Sequence, residues 1–172
     1  MNNSIKHSII ENLSFEEEKL FKGVMYVENV EIIHTRVNKS FMNLCTNFQK
    51  VVIEDCVFSK FTDIDNEVKE CLNIYRGNFE DNLFINKSSF FGRVNMSALH
   101  CLGKVIIENN IFEEFVDFGD CWFKGTVIIR NNQFKKGTNL LGNQDKPYKV
   151  TFDKKPCIEN NTGNLAMDVL PE

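Results

Sequence analysis

Histidine and cysteine are the residues of this 172-residue chain whose chemistry best serves catalysis, and the chain has three and six of them. Only His100 stands beside a possible nucleophile, Cys101. An imidazole next to a thiol is the arrangement that activates a thiolate. Neighbouring residues in a β-strand point to opposite faces, however, so we expect Cys101 to be a buried structural thiol that His100 does not reach.

Motifs for other common reactions do not occur in the sequence. It contains no Gly-Lys-Ser/Thr phosphate loop, no His-Glu-x-x-His, no nucleophile elbow and no Cys-x-x-Cys. The spacing of the cysteines matches no zinc pattern, and we predict that they are small buried side chains. They are Cys45, Cys56, Cys71, Cys101, Cys121 and Cys157. We therefore predict no enzyme activity, no cofactor and no metal site.

Composition narrows the class of protein further. A hydrophobic content of 42% is enough for one sizeable core, and with three prolines and no Gly/Ser-rich tract no linker is visible. Twenty basic against 24 acidic residues give a net charge of −4, so direct binding of nucleic acid is not expected. The N-terminus has no signal-peptide core, and no segment reaches the ~18 apolar residues of a membrane span. These features predict a single cytoplasmic domain without disulfides and without membrane contact.

A repeat of 22 residues is the strongest pattern in the chain. Residues 105–112 read VIIENNIF and residues 127–134 read VIIRNNQF, with six of eight positions identical. Weaker copies lie at residues 51–58, 83–90 and 157–161. Large apolar anchors continue between the copies in alternating steps of five and six residues. They are Ile74, Phe79, Ile85, Phe90, Met96, Cys101, Ile107, Phe112, Phe118, Phe123, Ile129, Phe134 and Leu140. Earlier anchors, without strict alternation, are Ile32, Val37, Met42, Phe48, Ile53 and Phe58.

Steps of five and six form no stripe on an α-helix and do not fit a long strand of period two. Short strands separated by turns do fit them, with each anchor pointing inward and residue i lying beneath residue i+22. The charges and amides between the anchors test this register, because opposite charges and like amides should then stack. The charge pairs are Glu108 with Arg130, Glu113 with Lys135, and Glu114 with Lys136. The amide columns are Asn109 with Asn131, Asn110 with Asn132, and Asn95 with Asp117 and Asn139.

Several five-residue units are similar to the pattern small residue, Asp or Asn, large apolar residue, then two variable residues, with Trp122 in place of Asp or Asn in one of them. They are VNMSA at 94–98, VDFGD at 116–120, CWFKG at 121–125 and TNLLG at 138–142. The units resemble the pentapeptide-repeat family over roughly residues 21–142, although every second unit has one residue more. This resemblance implies a right-handed quadrilateral β-helix. The motif Ile-x-Asn-Asn-x-Phe is similar to coils of pectate-lyase-like β-helices, which are also right-handed but differ in cross-section.

We therefore predict an all-β fold, a single right-handed parallel β-helix (solenoid) of about six coils with 22 residues per coil and short capping elements at both ends. Ser14 opens the capping box Ser-Phe-Glu-Glu, which predicts a short helix to about residue 21 within an N-terminal cap, residues 1–21. The coils occupy residues 22–143. Residues 144–172 form an irregular C-terminal cap.

Residues 63–72 interrupt the period, because the copies at Ile53 and Ile85 are 32 positions apart. Either a loop leaves the coil here, which we favour, or the chain makes a coil and a half. The interruption is acidic and is one candidate surface for a partner. Its acidic residues are Asp63, Asp65, Glu67 and Glu70.

Trp122 is the second candidate for partner binding. The only tryptophan in the chain, it precedes anchor Phe123, so we expect it to face outward above His100. Exposed aromatic residues are enriched at interfaces. The alternative is that a terminal segment of the chain covers Trp122.

These features favour a non-catalytic module that binds a macromolecular partner, a protein, through the interruption or through the outer surface that carries Trp122 and His100. The pentapeptide-repeat resemblance implies two more specific roles: a DNA-like acidic rod that interacts with DNA gyrase, and a homodimer formed through a solenoid end. The opposite-charge pairs argue against the acidic rod. A carbohydrate-binding or carbohydrate-active β-helix is a further alternative, with Asp117 and Asp120 as its carboxylate pair.

Overall fold

The computed structural model describes residues 2–6, 8–10, 13–15, 28–38, 42–44, 47–59, 61–62 and 68–168. Within these ranges every regular element is a β-strand and none is a helix. The strands of the first half are β1 (Asn2–Lys6), β2 (Ile9–Ile10), β3 (Leu13–Phe15), β4 (Glu28–Ile33), β5 (Arg36–Val37), β6 (Met42–Leu44), β7 (Asn47–Glu54), β8 (Val57–Phe58), β9 (Phe61–Thr62), β10 (Val68–Asn73) and β11 (Asn78–Asn86). Those of the second half are β12 (Ser89–Phe90), β13 (Arg93–Asn95), β14 (His100–Cys101), β15 (Val105–Glu108), β16 (Ile111–Phe112), β17 (Val116–Asp117), β18 (Trp122–Phe123), β19 (Val127–Arg130), β20 (Gln133–Phe134), β21 (Thr151–Phe152) and β22 (Cys157–Glu159).

The strands assemble into three sheets. The largest has ten strands, and it begins with β1, β4, β7 and the long strand β11. Beyond β11 it divides into two rows: β14, β18 and β21 follow the first residues of β11, and β15, β19 and β22 follow its last residues. The second sheet has the order β2-β5-β8-β12-β16-β20, and the third has the order β17-β13-β10-β6-β3 with β9 beside β10. Each pair is parallel except β9 with β10. Parallel stacking of short strands is the arrangement that the repeat predicts.

The register between neighbouring strands confirms the 22-residue period in the most regular part of the repeat. Ile85 pairs with Ile107, and Ile107 pairs with Ile129. Other neighbours are offset differently, because extra residues leave the repeat between them. Ile53 pairs with Ile85 and Ile129 pairs with Ile158, offsets of 32 and 29 positions. The strands therefore stay aligned even where their spacing in the sequence departs from 22 residues.

Alternation within each strand builds the core. β15 and β19 read VIIE and VIIR, and in both the first and third residues are buried. A residue that faces inward in one strand has the corresponding residue of the next strand stacked on it at a spacing of about 4.8 Å. The thirteen predicted anchors from Ile74 to Leu140 are all buried, as expected.

Phenylalanine forms the most regular of the inward columns. Phe58, Phe90, Phe112 and Phe134 stack face to face, with ring centroids 4.8, 4.9 and 5.0 Å apart and planes within 11° of parallel. Rings can stack this closely only when the strands that carry them are in register. The column therefore fixes the pairing of four successive strands of the second sheet.

A column of buried polar side chains lies in the turn after the long strands. Asn132 is 1% exposed; its Nδ2 donates to the carbonyl of Ile107 at 2.8 Å and its Oδ1 accepts from the backbone N–H of Asn110 at 3.0 Å. Asn110 and Asn161 repeat the pattern in adjacent turns. Asn131, the residue before Asn132, has a φ of 57°, a conformation that asparagine tolerates better than most residues. The buried amides thus satisfy turn backbone that no strand can pair.

The predicted contacts between charged and amide side chains of neighbouring repeats are confirmed in four cases. The ion pairs are Glu108 with Arg130 at 2.7 Å, Glu113 with Lys135 at 2.7 Å, and Glu114 with Lys136 at 3.2 Å. Asn139 Nδ2 donates to Asp117 Oδ1 at 2.7 Å, which confirms that amide column as well. The conspicuous charges of the repeat therefore pair with one another along the stack.

The N-terminal helix predicted from the capping box does not begin at Ser14. Ser14 lies in β3, where it pairs with Asn43 of β6. Parallel pairing with a neighbouring strand gives the backbone of this segment its hydrogen bonds, which outweighs a local helix-start signal. Residues 16–21, over which the helix was expected to continue, lie outside the described residues.

The interruption combines the two alternatives drawn from the sequence. β9 pairs antiparallel with Val68 and Lys69, so a hairpin leaves the stack. The same strand β10 then returns to the parallel sheet, where Leu72 pairs with both Met42 and Val94. Cys71 and Leu72 are buried. The excursion therefore ends before residue 72, earlier than the sequence predicts.

The C-terminal region adds strands to the stack, where an irregular cap was expected. β21 pairs with β18, and β22 pairs with β19. The following residues run beside the preceding repeat, where the N–H of Thr138 donates to the carbonyl of Asn164 at 2.8 Å. Leu165 packs against the core.

Truncation of one ring of the phenylalanine column should destabilise the fold strongly. Phe112→Ala empties a fully buried position and should cost about 3–5 kcal/mol of unfolding free energy, measured by chemical denaturation. Glu113→Ala, the neighbouring control, removes a partly exposed ion pair and should cost at most about 1 kcal/mol. Equal losses in the two variants would mean that the inward and outward positions are assigned wrongly.

Loss of a buried amide should also be costly, because its backbone partners stay buried without hydrogen bonds. We expect Asn132→Ala to lower the unfolding free energy by about 2–4 kcal/mol in the same assay. Gln133 is the matched control, since it is the next residue but exposed, and Gln133→Ala should change stability by less than about 0.5 kcal/mol. An Asn132 variant as stable as the Gln133 variant would contradict the structural role of the amide column.

Candidate functional site

An exposed aromatic pair lies on the outer face of the ten-stranded sheet. His100 in β14 pairs in register with Trp122 in β18. Their ring centroids are 5.8 Å apart and the rings meet edge to face. His100 is exposed, and Trp122 keeps 38% of its surface exposed. The structure confirms the outward placement of both side chains that the alternation predicts.

Two further side chains hold the indole ring in place. The Trp122 Nε1–H donates to Asp153 Oδ1 at 2.8 Å. The Lys124 ammonium lies over the ring, 3.9 Å from its centroid, a cation–π contact. Asp153 follows β21, so a C-terminal segment does touch Trp122, as one alternative expected, but it leaves the ring partly exposed.

A surface depression of about 340 Å³ adjoins this pair. Leu102, which lines it, is 52% exposed, the largest exposed fraction among the large apolar side chains that the structure describes. Glu80 of β11 and Lys124 line the same depression and give it both charges. We call His100, Leu102, Trp122 and Lys124 the Trp122 wall. Its mixture of exposed apolar surface and charged rim is typical of a binding surface.

The His100–Cys101 pair does not form a catalytic site. Cys101 is buried, and burial raises the pKa of its thiol far above the usual range. Burial also raises the pKa of the Cys121 thiol. A nucleophilic cysteine needs the opposite, a lowered pKa and access to solvent. Cys101 therefore acts as a core side chain, with His100 on the other face.

The carboxylate pair considered for a carbohydrate-cleaving enzyme is part of a structural network. Asp117 Oδ1 accepts hydrogen bonds from the Gly119 N–H at 2.8 Å and from Asn139 Nδ2 at 2.7 Å. Arg93 lies 3.4 Å from the other carboxylate oxygen. Asp120 is exposed at a turn with a φ of 60°. Asp117 is thus held by three partners that stabilise the turn.

The acidic interruption contributes little to the described surface. Asp63, Asp65 and Glu67 lie outside the described residues. Glu70 lies in β10, where its backbone pairs with Arg93. In the part of the chain that the structure describes, no group of three or more His, Cys, Asp or Glu side chains is arranged to hold a metal ion.

Sequence reasoning missed an outward column of apolar residues on the ten-stranded sheet. We call it the apolar stripe; it consists of Val52, Phe84, Ile106, Ile128 and Cys157. All five are partly exposed. The signal was present in the segments VVIE, LFIN, VIIE and VIIR. Because only alternate residues of a strand face inward, three apolar residues in a row must place the middle one outside.

Cys157 also corrects a prediction, since all six cysteines were expected to be buried. Cys56, Cys71, Cys101 and Cys121 are buried, but Cys157 is partly exposed. It pairs with the outward residue Ile128, 29 positions earlier, because extra residues shift the last repeat. Cys45 lies outside the described residues.

Comparisons of the chain with protein-family models, with curated proteins and with solved structures find no match. The resemblance to pentapeptide repeats therefore stays a prediction. No helix in the described ranges is long and apolar enough to cross a membrane.

The cysteine environments predict selective labelling. In native protein treated with iodoacetamide at pH 8, Cys157 should react at least about tenfold faster than Cys101 and Cys121, because burial blocks access to these two thiols and raises their pKa well above the usual range. Desolvation and the neighbouring Glu159 also raise the pKa of the Cys157 thiol, but this thiol stays partly exposed to the reagent. Peptide mass spectrometry measures each site, and labelling after unfolding in urea provides the control in which all sites react. Native labelling of Cys101 as fast as that of Cys157 would contradict its burial.

Proposed function

We propose that this chain is a non-catalytic binding module, built as a closed right-handed β-helix like that of pentapeptide-repeat proteins, which binds a protein partner through the Trp122 wall. Closure is supported by four inward columns that share one core, with a strand or bridge for each column in every central repeat. A closed stack of this kind is rigid, and rigid surfaces bind with a small loss of conformational entropy.

The observation that carries the proposal is the exposure of Leu102 and Trp122 beside one depression. Removal of apolar surface from water is favourable by about 25 cal/mol per Å², so burial of these two side chains against a partner would contribute to binding. A tryptophan that two neighbours hold in one orientation can bury its surface against a partner without further ordering. Tryptophan is also enriched among the residues that contribute most to protein–protein binding.

The same geometry makes the other candidate functions weaker. A sugar ring stacks on an unobstructed aromatic face, but the Lys124 ammonium lies over one face of the Trp122 ring. A DNA-like acidic rod requires unpaired carboxylates in a row. Glu108, Glu113 and Glu114 instead each pair with a cation of the next repeat. These contacts favour binding of a protein through the Trp122 wall over binding of a polysaccharide or DNA mimicry towards gyrase.

The proposal predicts that Leu102→Asp weakens partner binding. The full chain is immobilised, proteins from the source cell are captured, and each captured protein is purified and titrated by calorimetry. A specific partner should bind the Leu102→Asp variant at least about tenfold more weakly, because a carboxylate replaces the most exposed apolar contact. Leu102 is already exposed, so this variant should melt within a few degrees of the parent chain.

Phe91→Ala is the matched control, since Phe91 is an exposed large apolar residue, 43% exposed, outside the Trp122 wall. It should leave the affinity unchanged. A partner that binds both variants equally well would show that the wall is not the binding surface. Retention of a polysaccharide on a glycan array, or salt-sensitive competition with DNA for gyrase, would instead support one of the alternative functions.

A further inference from the structure

The apolar stripe runs along the stacking direction of the ten-stranded sheet. Five adjacent strands contribute one residue each, so at about 4.8 Å per strand the stripe is about 19 Å long. Its central residues, Phe84, Ile106 and Ile128, are the bulkiest. Side chains of this kind on an outer wall are expected to be covered by another surface. The charges that border the stripe indicate what that surface is.

The two edges of the stripe carry opposite charges. The motif Lys-x-apolar-x-Glu occurs three times in strand-aligned positions, at residues 50–54, 104–108 and 155–159. The apolar residue in the middle of each motif belongs to the stripe, so the lysine and the glutamate lie two residues to either side of it. In the first motif, alternate residues of β7 share the outward face. Lys104 and Lys155 precede β15 and β22, and both of these lysines are exposed.

The intervening rows do not reverse this polarity. Asn82 and Thr126 stand on the lysine edge beside Lys50, Lys104 and Lys155. Asp81 borders this edge, where its carboxylate accepts a hydrogen bond from the Asn82 side chain. None of these lysines makes an ion pair with the residues that the structure describes. The glutamate edge carries Glu54, Glu108 and Glu159 with a single guanidinium, that of Arg130. Arg130 pairs with Glu108 at 2.7 Å.

A surface with one positive and one negative edge is complementary to its own copy in one orientation. A two-fold axis along the stripe places each repeat opposite the same repeat of a second copy and exchanges the edges. Lys50 then faces Glu54 of the second copy, and Lys104 faces Glu108. A two-fold axis across the stripe would place lysine against lysine. Isologous contacts of this type are the usual route to dimers.

The size of the surface sets the expected strength of association. Five strands and five residues per strand span about 24 Å by 17 Å, or about 400 Å² of flat area per copy. A standard interface buries about 800 Å² per partner, so this contact belongs to the weak class. Its dissociation constant should lie at about 1–100 µM and should rise with salt, because the edge charges are exposed.

We propose that the apolar stripe and its two charged edges form a self-association surface. A second copy of the chain docks side by side along the stripe, with its lysine edge against the glutamate edge of the first copy. This surface is distinct from the Trp122 wall, and it differs from the dimer through a solenoid end that the family resemblance implies. Each of the three contacts predicts a different response to substitution.

Charge reversal on opposite edges tests the proposed orientation. Sedimentation velocity over a concentration series at low salt should show a monomer–dimer equilibrium for the parent chain. Lys50→Glu and Glu54→Lys should each weaken the dimer at least about tenfold, because each variant presents like charges to itself. An equimolar mixture of the two variants should associate with nearly the parent affinity, since the first variant presents two acids to two lysines of the second.

Substitution within the stripe tests the apolar contact itself. Ile106→Lys places two ammonium groups against each other at the axis and should abolish the dimer, whereas Ile111→Lys, at a partly exposed position of another sheet, should not. Circular dichroism and thermal melting check that each variant folds. Leu102→Asp should leave the dimer intact, which separates this surface from partner binding.

Three results would overturn the proposal. The first is a parent chain that stays monomeric to about 100 µM at low salt, where a contact of this size should associate. The second is a dimer that is insensitive to Ile106→Lys. The third is a mixture of Lys50→Glu and Glu54→Lys that associates no better than either variant alone, which would indicate another orientation or an end-to-end contact.

Discussion

Stacking of like side chains at the spacing of paired strands is the constraint on which the rest of this structure depends. A phenylalanine ring can lie parallel to another at about 5 Å only if the two strands are aligned to the residue. Once Phe58, Phe90, Phe112 and Phe134 are aligned, most other positions of these repeats are aligned as well, apart from local shifts such as the one between Phe79 and Asn82. The buried amides, the ion pairs and the outward aromatic pair are consequences of that one register.

This dependence explains why much of the fold was predictable from one sequence. Where the repeat has constant length, a residue and the residue 22 positions later are neighbours, so a statement about sequence becomes a statement about contact. Glu108 and Arg130 could be paired for that reason alone. Where the length changes, the inference fails. Ser14 carries a local helix-start signal, but pairing with Asn43, 29 positions away, overrides it.

The candidate site was predictable to the same extent. The position of Trp122 above His100 follows from the register, but the contact between Trp122 and Asp153 does not, because extra residues between the last repeats bring Asp153 into place. The apolar stripe was overlooked for a different reason. In VIIE of β15 the first and third residues point inward and explain the apolar pattern as core. The outward position of the residue between them, Ile106, was therefore not predicted. Outward positions carry information that a search for buried anchors passes over.

The hairpin at β9 and β10 shows how the stack accommodates extra chain. Phe58 and Phe90 stay stacked at 4.8 Å although ten residues more than the usual period separate them. The entropy cost of closing a loop grows only with the logarithm of its length, so chain inserted between Thr62 and Val68 changes the energy of the stacked rows very little. The position is therefore a natural graft point, at which a foreign peptide could be displayed from a stiff scaffold without redesign of its interior.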